Sequence, residues 1–243
     1  MNVTPWTRTA GAALLVGLCG CVQFRSARSM VLDDAHPADL PAAVDLPARE
    51  SARVCLRTAH EYGKNGQVEE AVRLFEKARE MDPAADREAG RRLAVLYDTL
   101  GEFGRADAEY DRLLAATPKD ADLLNDAGYS RYCRGDWAAA GGLFRRATAA
   151  DPGHKRAHVN LGLALAQQGK MAEALTAFGA AVRPADAHSN LGFVLAAQGD
   201  RPAAAAEYGK ALALDPGHKL ARAALAKLDG PNTAAAVVRS ASP

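Results

Sequence analysis

The sequence predicts an all-α protein, an α-solenoid of about five helix pairs followed by a C-terminal cap helix. Five times a glycine is followed five residues later by alanine and nine residues later by an aromatic ring. The leading glycines are separated by 35, 34, 34 and 30 residues, and a period of this length is typical of stacked helical repeats. Apolar residues make up 49% of the chain and aromatic residues only 6%, so the core must consist largely of alanine and leucine. The five sets are Gly66, Ala71 and Phe75; Gly101, Ala106 and Tyr110; Gly135, Ala140 and Phe144; Gly169, Ala174 and Phe178; and Gly199, Ala204 and Tyr208.

The N-terminal segment resembles the signal peptide of a bacterial lipoprotein. Arg8 is followed by an apolar run over residues 10–18, and the string Leu18-Cys19-Gly20-Cys21 ends that run. The resemblance implies that residues 1–20 are removed and that the sulfur of Cys21 is acylated. Val22 stands where an inner-membrane retention signal would place Asp. The resemblance therefore favours an outer-membrane anchor that faces the periplasm.

Other interpretations of this segment remain open. It could be a plain secretory signal or an uncleaved anchor, although the apolar run is shorter than the ~20 residues of a membrane span. Cys19 and Cys21 could form a Cys-x-Cys metal or redox site, but an apolar segment that is destined for removal argues against this.

Residues 21–50 are predicted to be a lipidated N-terminus and a flexible linker. Asp, Ala and Pro dominate, Pro37, Pro41 and Pro47 interrupt any helix, and apolar periodicity is missing. A flexible linker of about 28 residues has a mean span of ~30 Å. At the other end, residues 230–243 contain two prolines and small polar residues, so they are predicted to be a disordered tail.

Between these segments, helical patterning over residues 51–229 predicts five repeats, at about 52–85, 87–120, 121–154, 155–184 and 185–218, with a cap helix at 217–229. A small residue lies seven positions before each leading glycine, and together with the later alanine it lets two helices approach closely. In four repeats a proline seventeen positions after the glycine ends the second helix, because it disfavours helical geometry in the preceding residue. The small residues are Ala59, Ala94, Gly128, Gly162 and Gly192, and the prolines are Pro83, Pro118, Pro152 and Pro216.

These columns resemble the tetratricopeptide repeat family over about residues 52–216. Leu161-Gly162 and Leu191-Gly192 match the family's Leu-Gly pair, and Tyr62 and Tyr97 match its tyrosine. The resemblance implies a right-handed solenoid of tetratricopeptide-like helix pairs that binds peptides. The family's early tryptophan is absent, and its column holds Cys55, Gly90, Leu124, His158 and His188.

The fourth repeat is about one helical turn short. Pro184 comes fifteen residues after Gly169, and the next leading glycine arrives four residues early. We therefore expect the fifth repeat to pack on the fourth at an altered angle. In the cap helix, Leu220, Ala224 and Leu228 are predicted to form one stripe.

In tetratricopeptide arrays the first helix of each repeat lines a concave groove, so partner-binding residues are expected on its outward face. Positions thirteen, nine, six and three before each leading glycine share one helical face. These columns predict a groove that is cationic near its N-terminal end and apolar with two asparagines near its C-terminal end, which suits an extended peptide. Alternatively, Asn160 and Asn190 are ordinary solvated residues and Phe193 packs against its neighbours. The predicted groove residues are Arg57, Arg92, Asp126, Tyr129, Tyr132, Asn160, Leu163, Asn190 and Phe193, with His60 and Val95 in the same columns.

Composition and motifs argue against several function classes. Thirty basic and 29 acidic residues give a net charge of +1 with no polybasic run, so nucleic acid is not an expected partner. His154, His158 and His188 permit a metal site, but His154 recurs as His218 in an identical Asp-Pro-Gly-His-Lys string, which internal duplication explains. Phosphate loops, nucleophile elbows and zinc-protease helices do not occur in the sequence. We therefore expect no catalytic site, metal, cofactor or small-molecule substrate.

The predicted function is that of a non-catalytic adaptor, tethered through Cys21, that binds an unidentified protein or peptide in its groove. By analogy alone, a more specific version is a lipoprotein that helps to build secretion systems or pili. An accessory lipoprotein subunit of an envelope enzyme complex, an enzyme in its own right and a structural spacer are the alternatives.

Overall fold

A computed structural model describes residues 47–228, so the predicted signal peptide, the lipidated Cys21, most of the linker and the tail lie outside the described residues. The described chain is all-helical, as predicted. It forms two compact units, residues 47–123 and residues 124–228, and the boundary falls within one helix. The helices are α1 (Ala48–Lys64), α2 (Val68–Met81), α3 (Asp86–Thr99), α4 (Phe103–Ala116), α5 (Ala121–Cys133), α6 (Trp137–Ala150), α7 (Lys155–Gln167), α8 (Met171–Gly179), α9 (Pro184–Ala197), α10 (Arg201–Leu214) and α11 (Lys219–Leu228).

The leading glycine of each set lies in a three-residue turn between two helices. All five glycines have positive φ angles, between 75° and 86°, which a side chain would disfavour. The residue after the glycine donates its N–H to the carbonyl five residues earlier, as in Gln67 to Tyr62 and Glu102 to Tyr97. This bond closes the end of the first helix. The glycine column therefore specifies where each helix reverses.

The alanine and aromatic columns form the cores of the two units. Phe75, Phe144 and Phe178 are buried, and so are both tyrosines of this column. A Cβ atom at Gly162 would lie only 2.5 Å from the ring of Phe178, and one at Gly128 would lie 2.7 Å from Phe144. The predicted close approach at the small-residue column is confirmed at these two positions.

In the column from which the family's tryptophan is absent, polar side chains fill part of the space. At Gly90 this space is occupied by the guanidinium group of Arg112. Its Nη2 atom lies 2.6 Å from the position that a Cβ atom on residue 90 would take. It donates to Glu109, which is itself buried. In the last helix pair His188 fills the column, and its Nδ1 lies 2.7 Å from Oε2 of the buried Glu207. Ion pairs and hydrogen bonds therefore replace an aromatic contact in both units.

Helix α1 begins earlier than the sequence predicts. The linker was expected to extend to Glu50, whereas the helix starts at Ala48 and Pro47 forms its N-cap. The carbonyl of Pro47 accepts from the backbone N–H groups of Glu50 and Ser51. Proline suits this position because the N–H groups at the start of a helix have no partner within the helix, so its missing N–H costs nothing there.

The missing turn of the fourth repeat is in its second helix. Helix α8 has 9 residues, whereas α2, α4, α6 and α10 each have 14. Helix α9 begins at Pro184 and packs against both α7 and α8. The angle at which the fifth pair packs on the fourth stays a prediction.

The predicted stripe of the last helix is confirmed at Ala224 and Leu228 and is wrong at Leu220. Ala221 is the buried residue of α11, and Ala224, Leu225 and Leu228 are partly buried against the core. Leu220 is 76% exposed. Helix α11 therefore packs through a face that begins at Ala221 and not at Leu220.

Candidate partner-binding faces

In the N-terminal unit the two arginines predicted to line the groove are exposed. Arg57 lies on α1 and Arg92 on α3, each nine residues before its turn glycine. Between them on this face, Nε2 of His60 lies 2.9 Å from Oε1 of Glu88. This contact joins α1 directly to α3. It places the outward faces of the two helices side by side.

Two further residues of this face differ in their surroundings. Val95 is 49% exposed. His60 is half-buried, and its ring meets the edge of Phe75 at a centroid distance of 5.1 Å. His60 therefore contributes to packing and to the link with Glu88.

In the C-terminal unit the predicted tyrosines form a pair on α5. The rings of Tyr129 and Tyr132 are stacked, with centroids 6.3 Å apart and planes 17° from parallel. Both side chains are half-buried and pack against the core. Burial raises the pKa of Tyr132, against a lowering effect of its hydrogen bond with Gln167. The hydroxyl of Tyr132 therefore stays protonated at neutral pH.

Asn160 is engaged within the protein. It is buried on α7, and its Nδ2 donates to Oδ1 of Asn125 on α5 over 2.9 Å. Asn125 donates in turn, over 3.4 Å, to Asp126, whose carboxylate lies 3.7 Å from Arg156. The sequence columns missed Asn125 because it lies one position before the column that contains Asp126. Asn160 therefore joins two helices.

The remaining predicted groove residues of this unit lie on α7 and α9. Leu163 is half-buried against the core, and Asn190 is also half-buried. Phe193 follows Asn190 by three residues, so the two share a face of α9, and Phe193 is 41% exposed. An exposed phenylalanine beside an amide group is a suitable contact for the side chain and backbone of a peptide.

The histidines considered as metal ligands have other partners. Nδ1 of His154 accepts from the N–H of Ala157 and caps α7, while His158 contacts the carbonyl of Pro152. His218 caps α11 in the same way as His154 caps α7. Over residues 47–228 no group of three or more His, Cys, Asp or Glu side chains is arranged to hold a metal ion. No helix in that range is long and apolar enough to cross a bilayer.

An open cleft in the N-terminal unit lies outside the predicted columns. It is found at the turn between α4 and α5, and its lining includes Arg87, Arg91 and Lys119. Asp120 is within 4 Å of both arginines, at 2.8 Å and 3.6 Å. The cationic charge of this cleft is therefore partly neutralised within the protein.

Paired helices with a glycine-turn period and partly exposed outward faces define a helical-repeat solenoid of the kind that binds other proteins. Three family models described as tetratricopeptide repeat match residues 64–125, 125–190 and 185–218. The chain belongs to the tetratricopeptide repeat family. Members of this family are generally non-catalytic scaffolds, and the fold indicates a protein-interaction adaptor.

Known proteins resemble the chain over the same region. The type IV pilus assembly protein PilF of Pseudomonas aeruginosa is 29% identical over 175 residues, which are 70% of this chain and 63% of that protein. The match thus spans less than two thirds of the relative's length. A solved structure of P. aeruginosa PilF is 26% identical with a TM-score of 0.53, over 67% of this chain and 75% of that one.

Two other solved structures have the same fold. YrrB, described as a tetratricopeptide repeat protein with an unusual peptide-binding site, is 26% identical with a TM-score of 0.52, over 72% of this chain and 92% of its own. MamA of Desulfovibrio magneticus RS-1 has a TM-score of 0.56, over 70% of this chain and 98% of its own, but is 22% identical and supports the fold alone.

Proposed function

We propose that this protein is a non-catalytic adaptor, tethered to a membrane through the lipidated Cys21, that binds an extended peptide or a partner helix on the outward faces of its first helices. The observation that carries the peptide-binding part is Phe193. It is 41% exposed on a face whose other predicted contact, Asn190, is half-buried. Large aromatic side chains with adjacent hydrogen-bonding groups are enriched where proteins bind partners.

The partner pathway that we propose is assembly of a surface pilus. Support comes from the similarity to the P. aeruginosa protein whose name refers to type IV pilus assembly. The matched region is the repeat array and not a catalytic domain, which agrees with a role in holding other components together. YrrB supports peptide binding by a similar array, because its description names a peptide-binding site.

The experiment for peptide binding is crosslinking in intact cells, followed by identification of the trapped proteins. We would compare wild type with Phe193→Ala and with Leu214→Ala. Leu214 is the matched control, because it is also a large exposed apolar residue of the C-terminal unit, at 56% exposure, and lies outside the predicted face. We expect Phe193→Ala to reduce capture of a specific partner about tenfold or more, and Leu214→Ala to leave capture unchanged. Equal capture by all three chains would refute this surface.

The pilus role and the anchor need separate experiments. Deletion of the protein should abolish a surface fibre that wild type restores, and an unchanged fibre would exclude the pilus role. For the anchor, metabolic labelling with a fatty acid should label wild type and leave Cys21→Ala unlabelled. Label that persists in the Cys21→Ala chain would contradict lipidation. We propose the outer membrane, with the repeats facing the periplasm, as the location, and fractionation of the labelled chain tests it.

A further inference from the structure

The outward face of the N-terminal unit carries a line of arginines that have no anionic partner within residues 47–228. Arg49, Arg53 and Arg57 follow one another at intervals of four residues on α1, so they lie along one stripe of that helix. Arg92 lies on α3, in the same register as Arg57. All four side chains are exposed, and none makes a hydrogen bond or an ion pair with a described residue. We call these four residues the arginine line.

The contact between His60 and Glu88 shows that the arginine line is one surface. Nε2 of His60 on α1 lies 2.9 Å from Oε1 of Glu88 on α3. Arg57 is one turn before His60 on α1, and Arg92 is one turn after Glu88 on α3, so the two arginines flank this contact along their helices. The two helices therefore present their guanidinium groups to a common ligand.

Other arginines of the N-terminal unit differ from the arginine line because they form ion pairs. Each of the following lies within 4 Å of a carboxylate: Arg79, Arg87, Arg91, Arg105 and Arg112. On the arginine line the nearest acidic groups in sequence are Glu50, Glu61 and Glu88; Glu61 accepts from Lys64, and Glu88 contacts His60. Like charges four residues apart on a helix repel one another. A surface that keeps such charges unpaired is suited to an anionic ligand.

We propose that the arginine line binds an extended acidic segment of the partner protein. This inference rests on the proposed adaptor function and specifies the chemistry of its partner. Guanidinium groups at intervals of four residues on a helix are ~6 Å apart along its axis. Alternate side chains of an extended peptide point to one side at intervals of ~6.6 Å, so acidic residues at every second position match the arginines. Arginine binds carboxylates with two parallel hydrogen bonds, which adds geometric selectivity to the charge attraction.

The spacing favours a peptide over other anionic surfaces. An acidic peptide with clustered charges would not match the interval along α1, and a membrane surface offers no fixed interval. The net charge of the chain is only +1, so general attraction to polyanions is weak. The ordered spacing is therefore the property that the test must examine.

The test measures binding of fluorescein-labelled peptides of about eight residues to the full chain by fluorescence anisotropy, since about eight extended residues span the line and the gap to α3. One peptide alternates glutamate with serine, a second has the same composition with its glutamates consecutive, and a third has glutamine in place of glutamate. The test variant combines Arg49→Gln, Arg53→Gln, Arg57→Gln and Arg92→Gln. The control variant removes the same charge at four exposed cations that are not part of the arginine line, Arg73→Gln, Lys77→Gln, Arg146→Gln and Lys170→Gln.

We expect the alternating peptide to bind wild type and the control variant about tenfold more tightly than it binds the test variant. We also expect this binding to weaken as salt is added and to exceed that of the other two peptides. Equal binding by all chains, or equal binding of the alternating and consecutive peptides, would overturn the inference. Two further results would overturn it by identifying another occupant. One is arginine-dependent binding to phosphatidylglycerol vesicles that the alternating peptide does not displace. The other is a rise in peptide affinity when the chain's own Asp33, Asp34, Asp39 and Asp45 are changed to asparagine. That rise would identify the chain's own acidic segment as a competitor for the arginine line.

The outcome can be separated from that of the adaptor proposal. If the test variant captures the cellular partner as well as wild type while Phe193→Ala does not, the acidic-segment inference is wrong and the adaptor proposal stands. If neither variant changes capture, the adaptor proposal fails, whatever the peptides do.

Discussion

Asn160 and Asn125 are joined by a hydrogen bond between two buried amides, with Nδ2 of Asn160 2.9 Å from Oδ1 of Asn125. The bond links α7 to α5, the first helices of two successive pairs. Asn125 is 2% exposed and Asn160 9% exposed, so neither amide can exchange this partner freely for water. A polar bond in an alanine-rich core fixes how the two helices align, because only one alignment satisfies both groups.

Removal of one amide of this pair should destabilise the protein. We expect Asn125→Ala to lower the free energy of unfolding by about 1–3 kcal/mol, because the buried amide of Asn160 then lacks its acceptor. Urea denaturation measures the change. Asn160→Ala combined with Asn125→Ala should cost less than the sum of the two single changes. Strictly additive costs would show that the bond does not couple the helices.

Gly162, which packs against Phe178, and Gly209, which has open space beside it, are expected to respond in opposite ways to substitution by alanine. Gly162→Ala should destabilise the fold by about 1–3 kcal/mol, because its Cβ would lie 2.5 Å from the ring. Gly209 lies within α10 and its Cβ would meet nothing within 4 Å. Gly209→Ala should therefore stabilise the fold by up to about 1 kcal/mol, through helix propensity alone. Thermal denaturation of both variants tests the pair, and a stabilising Gly162→Ala would contradict the packing.

The hydroxyl group of Tyr97 is expected to stabilise the folded protein through its two hydrogen bonds. It donates to Oε1 of Glu76 over 2.7 Å and accepts from Arg105, whose guanidinium lies 4.0 Å from the ring centroid. Burial and the hydrogen bond to Glu76 raise the pKa of Tyr97, so the hydroxyl stays protonated and remains a donor. We expect Tyr97→Phe to lower the free energy of unfolding by about 1 kcal/mol. Tyr62→Phe, at the corresponding position of the first pair and without these two partners, is the control for loss of a hydroxyl.

The surroundings of Asp186 predict that the stability of the protein depends on pH in the acidic range. Hydrogen bonds from Arg183 lower the pKa of Asp186, and the contact with Nε2 of His218 contributes in the same direction. A carboxyl whose pKa is lower in the folded than in the unfolded chain adds stability above its unfolded value of about 3.9. That contribution disappears as the pH falls through the lowered folded pKa.

We therefore expect Asp186→Asn to be less stable than wild type at pH 7 and to approach it as the pH falls below about 4. Chemical denaturation at a series of pH values measures the difference. Asp111→Asn is the charge-matched control, since Asp111 is exposed and is not part of this network. A difference for Asp186→Asn that is constant over the whole range would contradict the assignment.

Local steric rules explain why much of the fold could be predicted. Gly101 and Gly135 recur because each turn requires a positive φ, and Phe144 and Phe178 recur because each helix pair has the same hollow to fill. Such requirements repeat with the chain and appear as a period. The short fourth repeat was visible for the same reason, since a missing turn in α8 changes the spacing of the glycines.

The candidate faces were less predictable, because their properties depend on pairs of residues far apart in sequence. Asn160 was expected to face a ligand, but its amide reaches Asn125, 35 residues earlier. Leu220 was expected to share the packed stripe of the cap helix, whereas Ala221 takes the buried place. The arginines on α1 could have been recognised from their four-residue interval, yet that interval does not tell which of the chain's arginines already have carboxylate partners.

The sequence by itself determined the helical class, the number of turns and the residues that pack helix against helix, because each depends on contacts within about one repeat. Tertiary structure decided which polar side chains of the outward faces are already bonded, because these bonds join different repeats. Asn160 is buried and paired, Phe193 is exposed, and Arg57 and Arg92 flank the bond between His60 and Glu88. A period in the sequence specifies how neighbouring helices stack, but the distance between two side chains on different helices depends on how the whole set of helices has packed.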